Sequence, residues 1–330
     1  MTIDAIFQRV TSSYDLKRLK HSRIISVGCG GAAAFLEDMA RCGVGEFVLI
    51  DPDIIEEANI ATQQTYLDDI GRAKVDCVAD RLIQINPDAL VEVYQQPLDD
   101  IDDEEFAHIA FGSLNQDGEV WGARSPRAAS TLADDTLGIT LLCGFTDNFY
   151  AQTRVNRLAL QFGIPSLSAQ LYQYGQAAEI TFTFPGVTPA CQRCILSPRY
   201  KAYLENGYQN TIGSAGAPIF ATTRVNALKG IIALSLLHHG TDHPRWGNLL
   251  ERIGNRTLIQ LRMHPDTTLS IFNKVFTGAD TERIFFDEAV WLPQDPDPNC
   301  PDCGGAGDLR KAKGTFINTR GLSLGGETND

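Results

Sequence analysis

The stretch from Arg23 to Lys74 constrains this chain more than any other. Apolar Ile24-Ile25-Ser26-Val27 predicts a strand, Gly28-Cys29-Gly30-Gly31 a tight turn, Ala32 to Arg41 a helix, and Phe47 to Ile50 a second strand ending at Asp51. That succession is one βαβ unit. Glycines between strand and helix let the backbone approach a phosphate and point the first unbonded helix N–H groups at it. Asp51, about 20 residues further on at the tip of the second strand, suits a ribose hydroxyl. Close helix–strand packing also demands glycine, so the turn alone does not separate a nucleotide site from a structural corner or from a nicotinamide dehydrogenase.

The downstream residues decide between these. Pro52-Asp53, Glu57-Ala58-Asn59-Ile60-Ala61-Thr62-Gln63, Gly71-Arg72-Ala73-Lys74 and Phe145-Thr146-Asp147-Asn148 follow in a fixed order. In that order and spacing the chain resembles the ThiF/MoeB/HesA family, whose fold is also the adenylation domain of ubiquitin-activating enzymes. The resemblance covers most of Arg23 to Gln96 and Leu141 to Cys194. It implies an α/β fold, a Rossmann-like sheet with helices on both faces, with ATP and Mg²⁺ as cofactors. The implied reaction is adenylation of a C-terminal carboxylate on a ubiquitin-like or sulfur-carrier protein or a peptide.

On that resemblance Gly28, Gly30 and Gly31 admit the phosphates, and Asp51 holds the ribose. Asp53, Asn59, Gln63 and Asn148 join the nucleotide contacts, Lys74 offsets charge on the departing pyrophosphate, and Asp147 carries Mg²⁺. An arginine in the family's N-terminal lead-in reaches across a homodimer interface to the partner's ATP, and Arg9 is the candidate for that catalytic role.

Two departures limit the resemblance. Thr62 stands where the family's Asn-x-x-Arg-Gln motif has arginine, and threonine supplies no cationic fork to phosphate. Loss of one such transition-state charge costs on the order of a hundredfold in rate. Arg72, Arg41 or a partner's arginine are the candidate substitutes. Second, no cysteine occurs from Ile195 to Asn299, so no self-thioester can form between the two cysteine pairs. An active protein stops at the acyl-adenylate and hands it to an external nucleophile. The alternative is a catalytically impaired nucleotide- and zinc-binding scaffold, the regulatory half of a heterodimer.

The 8 cysteines divide into scattered apolar positions and two C-x-x-C pairs, Cys191/Cys194 and Cys300/Cys303. Two such pairs in a reducing compartment predict a tetrahedral Zn²⁺ site. A net charge of -13 disfavours nucleic acid as a partner. No apolar run is read as long enough for a membrane span, and no signal-peptide core precedes Arg23. A cytoplasmic location is expected.

The organisation expected is a nucleotide-binding core over 1–190 with an inserted loop near 102–138, a zinc-bound portion of the same domain over 191–310, and a mobile tail over 311–330. A helix is expected from Asp68 to Ile85, another after Asp147, and a small-residue-rich one from Pro218 to Leu237.

Overall fold

The computed structural model describes residues 3–114, 120–123, 138–206, 216–263, 275 and 288–308. In chain order its elements are α1 (Ile3–Phe7), α2 (Leu16–Lys20), β1 (Arg23–Val27), α3 (Ala33–Arg41), β2 (Glu46–Ile50), α4 (Lys74–Ile85) and β3 (Leu90–Tyr94). There follow α5 (Asp103–Phe111), β4 (Gly112–Leu114), β5 (Val120–Ala123), β6 (Thr140–Gly144), α6 (Phe149–Phe162), β7 (Ser166–Tyr172) and β8 (Ala177–Thr183). The remainder is α7 (Gln192–Ile195), α8 (Ser197–Asn206), α9 (Ile219–Leu237), α10 (Leu249–Ile253), β9 (Leu258–Arg262) and β10 (Glu288–Leu292).

One sheet of eight strands runs in the order β10-β9-β8-β7-β6-β1-β2-β3, and β4 pairs separately with β5. From β3 to β7 neighbouring strands are parallel; from β7 outward each pairing is antiparallel. The central parallel strands β1, β2 and β6 are buried on both faces, which is why they read as largely continuous apolar runs. Ile24, Phe47, Leu49 and Leu141 point to a core shared with Phe35 and Leu36 of α3, Val75 and Val78 of α4, and α9. Ile25, Val48, Ile50 and Leu142 point the other way, to Phe106 and Ile109 of α5 and Val155 and Leu158 of α6. Helices therefore cover both faces, as expected.

At the foot of the sheet, buried Arg23 donates from Nε and Nη2 to Glu46 Oε2 at 3.0 and 2.7 Å and from Nη1 to the Ile109 carbonyl at 2.5 Å. This pair welds β1 and β2 to the end of α5.

The structure differs from the sequence reading in three places. The stretch expected as an inserted loop begins with α5, a core helix whose Phe106, Ile109 and Ala110 are buried. Its N-cap is Asp102, which accepts from the Glu104 and Glu105 N–H groups. The rest of that stretch, apart from β4 and β5, lies outside the described residues, as does the tail 311–330. Second, the helix expected from Asp68 starts at Lys74: Gly71 takes φ +83 and Ala73 is held extended by a bridge to Ile54. Third, by length and composition α9 is apolar enough to cross a membrane, contrary to the reading that no such run exists. More than half of it is buried in the fold, where it packs on α3, β6, β7 and β8.

Candidate functional site

β1 has β2 on one side and β6 on the other, so the chain order reverses at β1. Open α/β sheets form their ligand crevice at such a point, beyond the carboxyl ends of the strands. The glycine turn, Asp51 and Phe145–Asn148 all lie there, because each directly follows β1, β2 or β6.

The three glycines differ in what requires them. Gly28 has φ +94, and a Cβ there would lie 2.5 Å from the Phe145 carbonyl oxygen, so glycine is obligatory for the corner itself. At Gly30 a Cβ would meet the Gln63 side chain at 2.6 Å. Gly31 has ordinary space, with Thr222 Cγ2 at 3.6 Å. Gln63 is thus folded over the turn, with its Oε1 buried and lacking a hydrogen-bond partner.

Asp51, 5% exposed, binds the turn from below. Its Oδ2 accepts from Cys29 N at 2.7 Å and its Oδ1 from Asp53 N at 3.0 Å. Burial pushes its carboxyl up, while those two N–H groups and Lys74 pull the other way. Lys74, in the first residue of α4, is buried and donates from Nζ to the exposed Asp53 carboxylate at 2.8 Å. Lys74 N also donates to the Asp53 carbonyl at 3.0 Å, so the two residues are linked through both backbone and side chain.

On the β6 side, Asp147 is exposed and opens α6. Asn148 caps that helix, its Oδ1 accepting from Tyr150 and Ala151 N–H groups, so its side chain has a structural task besides any ligand contact. Asn59 likewise accepts from Glu56 N at 3.0 Å and shapes the turn that carries Thr62 and Gln63. The Thr62 hydroxyl faces the carbonyls of Ala58 and Asn59 at 3.5 and 3.4 Å.

None of the arginines considered as substitutes comes free to the crevice within the chain. Arg72 is paired with Asp80 at 2.6 Å and Arg41 with Glu37 at 3.3 Å. Phe7, two residues before Arg9, packs at Gly43 just past the C-terminus of α3, whereas the glycine turn precedes its N-terminus. Arg9 is therefore at the far end of the helix from its own chain's turn.

Sequence reasoning missed the contribution of α9. Thr222, Asn226 and Lys229 fall on one face of this apolar helix, at steps of four and three, and all are buried. Asn226 Nδ2 donates to the Gly31 carbonyl at 2.9 Å, while its Oδ1 is buried and unpartnered. Lys229 Nζ sits 3.7 Å from the ring centroid of Phe145 and 5.2 Å from that of Phe35. Buried polar residues recurring along an apolar run were the available signal.

The cysteine pairs converge as expected. Sγ separations are 3.8 Å for Cys191 and Cys194, 3.7 Å for Cys191 and Cys300, and 3.6 Å for Cys194 and Cys303, with all four buried and within 4.8 Å of one another. Zn–S bonds of about 2.3 Å in a tetrahedron require sulfur separations of about this size, so the set fits Zn²⁺. Buried Asp302 accepts from Asn156 Nδ2 at 3.0 Å, Arg157 Nε at 3.2 Å and Arg193 Nη1 at 3.0 Å. Gln192 N also donates to Asn156 Oδ1 at 3.0 Å, which ties the first pair to α6.

Fold and site together define an α/β protein with a glycine turn at the switch point of its sheet and, apart from it, a cluster of four cysteines that could hold a metal ion. The chain belongs to the ThiF family, which it matches over residues 4–245. It is 26% identical over 187 residues to ubiquitin-like modifier-activating enzyme 5 of Dictyostelium discoideum, an alignment covering 56% of this chain and 44% of that protein. The chain thus spans less than half the length of that relative. In fold it is similar to E. coli MccB in complex with N-formylated MccA, with a TM-score of 0.56, 16% identity, and coverage of 88% of this chain and 69% of that one. MccB with ATP gives a TM-score of 0.51 at 18% identity, covering 75% and 62%.

Proposed function

We propose that the crevice at the carboxyl ends of β1, β2 and β6 binds ATP with Mg²⁺ and adenylates the C-terminal carboxylate of a ubiquitin-like protein, a sulfur-carrier protein or a peptide. The observation that carries this reading is the Lys74–Asp53 pair beside a glycine turn fastened by Asp51. A carboxylate oxygen attacks the α-phosphorus, the bond to the β-phosphate oxygen breaks, and pyrophosphate leaves. Positioning and electrostatics supply most of the acceleration in phosphoryl-type transfer. Lys74 then takes the charge of the departing pyrophosphate and Asp147 the metal. The structural neighbour MccB has been solved with ATP and, separately, with N-formylated MccA, which supports a nucleotide and a peptide-type substrate.

Zinc on the four cysteines holds the C-terminal portion to α6 and takes no part in the chemistry. The protein works as a homodimer in the cytoplasm, where Arg9 can serve only a partner's crevice. With no cysteine between the pairs, the product is the acyl-adenylate, passed to a sulfur donor, an amine or a partner's thiol.

ATP–pyrophosphate exchange with a panel of small proteins and peptides tests the reading. Exchange that depends on one substrate's C-terminal carboxylate supports it; ATP binding without exchange across the panel sinks it. That second outcome favours a regulatory scaffold, for which Thr62, its hydroxyl turned to its own backbone, is the specific observation.

A further inference from the structure

We propose that Lys229 is a phosphate-binding residue of the nucleotide crevice, delivered by α9 in place of the arginine that Thr62 lacks. The assignment rests on the crevice taking a nucleotide.

Lys229 is 3% exposed, and among the described residues it makes no ion pair and no hydrogen bond. Its neighbours are the faces of Phe35 and Phe145 and the buried thiol of Cys143. An ammonium withdrawn from water without an anion is costly, and π-faces return only a small part of that cost. Core helices tolerate methionine or leucine at such a depth, so the amine calls for a partner that arrives from outside the chain. Burial pushes it down to about 7, with Cys143 pulling the other way, and an arriving dianion would restore its charge.

Its place in the fold names the partner. Helical side chains lean toward the helix N-terminus, and in α9 that direction leads to Asn226 and Thr222, the residues that meet Gly31. Phe145, over which the ammonium lies, is the residue whose carbonyl crowds Gly28. The amine thus waits one side-chain layer behind the glycine turn. To serve a ligand held there, the amine has to turn off the Phe145 face toward the glycines. Unpartnered Asn226 Oδ1 lies on the same helical face, one turn nearer the glycines. Lys74, Arg72 and Arg81 already have acidic partners.

The test compares ATP with adenosine by calorimetry on the full chain. Lys229→Met keeps the volume and removes the charge, so the fold should stand or gain stability. The expected result is ATP affinity reduced by about tenfold or more with adenosine affinity unchanged. Lys229→Gln, neutral but still polar, serves in the same comparison should the methionine variant not fold. Equal ATP affinity in wild type and variant overturns the assignment, as does equal loss for ATP and adenosine, which marks a packing role. Wild-type protein that binds neither compound overturns the nucleotide reading and this assignment together. Wild-type binding with an indifferent variant overturns this assignment alone.

Discussion

Asp302 Oδ2 accepts a hydrogen bond from Asn156 Nδ2 at 3.0 Å, and so fastens the second cysteine pair to the helix that starts at the crevice. The same carboxylate neutralises Arg157 and Arg193, both largely buried. Replacing Asp302 by Asn removes the buried negative charge that those two guanidinium groups share. A loss of about 3–5 kcal/mol in unfolding free energy is expected, read from the denaturant midpoint. Faster metal release to a chromogenic chelator should accompany it. An unchanged midpoint would mean that water reaches these groups.

Gly28→Ala tests the corner. A methyl group 2.5 Å from the Phe145 carbonyl, at φ +94, has nowhere to move. Stability should fall by roughly 2 kcal/mol or more, with β1 and β6 forced apart. Gly31→Ala, with Thr222 at 3.6 Å, should leave the unfolding midpoint nearly unchanged. Equal effects of the two would show that the corner is not set by steric approach.

Lys74→Ala should remove pyrophosphate exchange by on the order of a hundredfold or more. It also releases Asp53, whose carboxylate then stands without Lys74 beside the proposed phosphate site. Asp53→Asn keeps Lys74 available and should cost less. If Asp53→Asn proves the more damaging, the aspartate rather than the lysine handles the ligand.

Acid should loosen the anchor between the N-terminal segment and α9. His238 Nε2 accepts from Asp15 N at 3.0 Å while Nδ1 faces the Leu234 carbonyl at 2.7 Å, an arrangement for the neutral ring. Burial lowers its pKa from 6.5 to about 4. Between those values the unfolded chain holds a proton that the folded one does not, so stability rises with pH across that window and this contribution is flat above it. Thermal unfolding midpoints should drop as pH falls through the window, and His238→Gln should shallow the slope. A slope unaltered in that variant would assign the effect to other groups.

The legible parts of the sequence were those written in local pattern. Two strands around a glycine turn, Asp51 at a strand tip and two C-x-x-C pairs each announce themselves within a short window; the structure brings Asp51 to the turn and, elsewhere, the two cysteine pairs to each other. The start of α4 was not legible, because Gly71 and the bridge from Ile54 to Ala73 override a periodicity that continues on paper. α5 was obscured by its acidic first turn, although Asp102 as N-cap and the spacing of Phe106 and Ile109 gave the signal. Asp53 as the partner of Lys74 and the buried row on α9 depend on contacts between segments well separated in the chain, which no local window contains.

The sheet order also sets a schedule for synthesis. β1 is flanked by β2 and β6, so the whole parallel half, crevice included, can close before β9, β10 and the second cysteine pair leave the ribosome. Until then β8 is a bare edge and Cys191 and Cys194 are a half-built chelate. A nascent chain that folds in this order passes through a state with the crevice formed and a strand edge exposed, open to chaperones and to mispairing. Pairing of β9 with β8, and the arrival of Cys300 and Cys303 beside Cys191 and Cys194, are the late steps that end it.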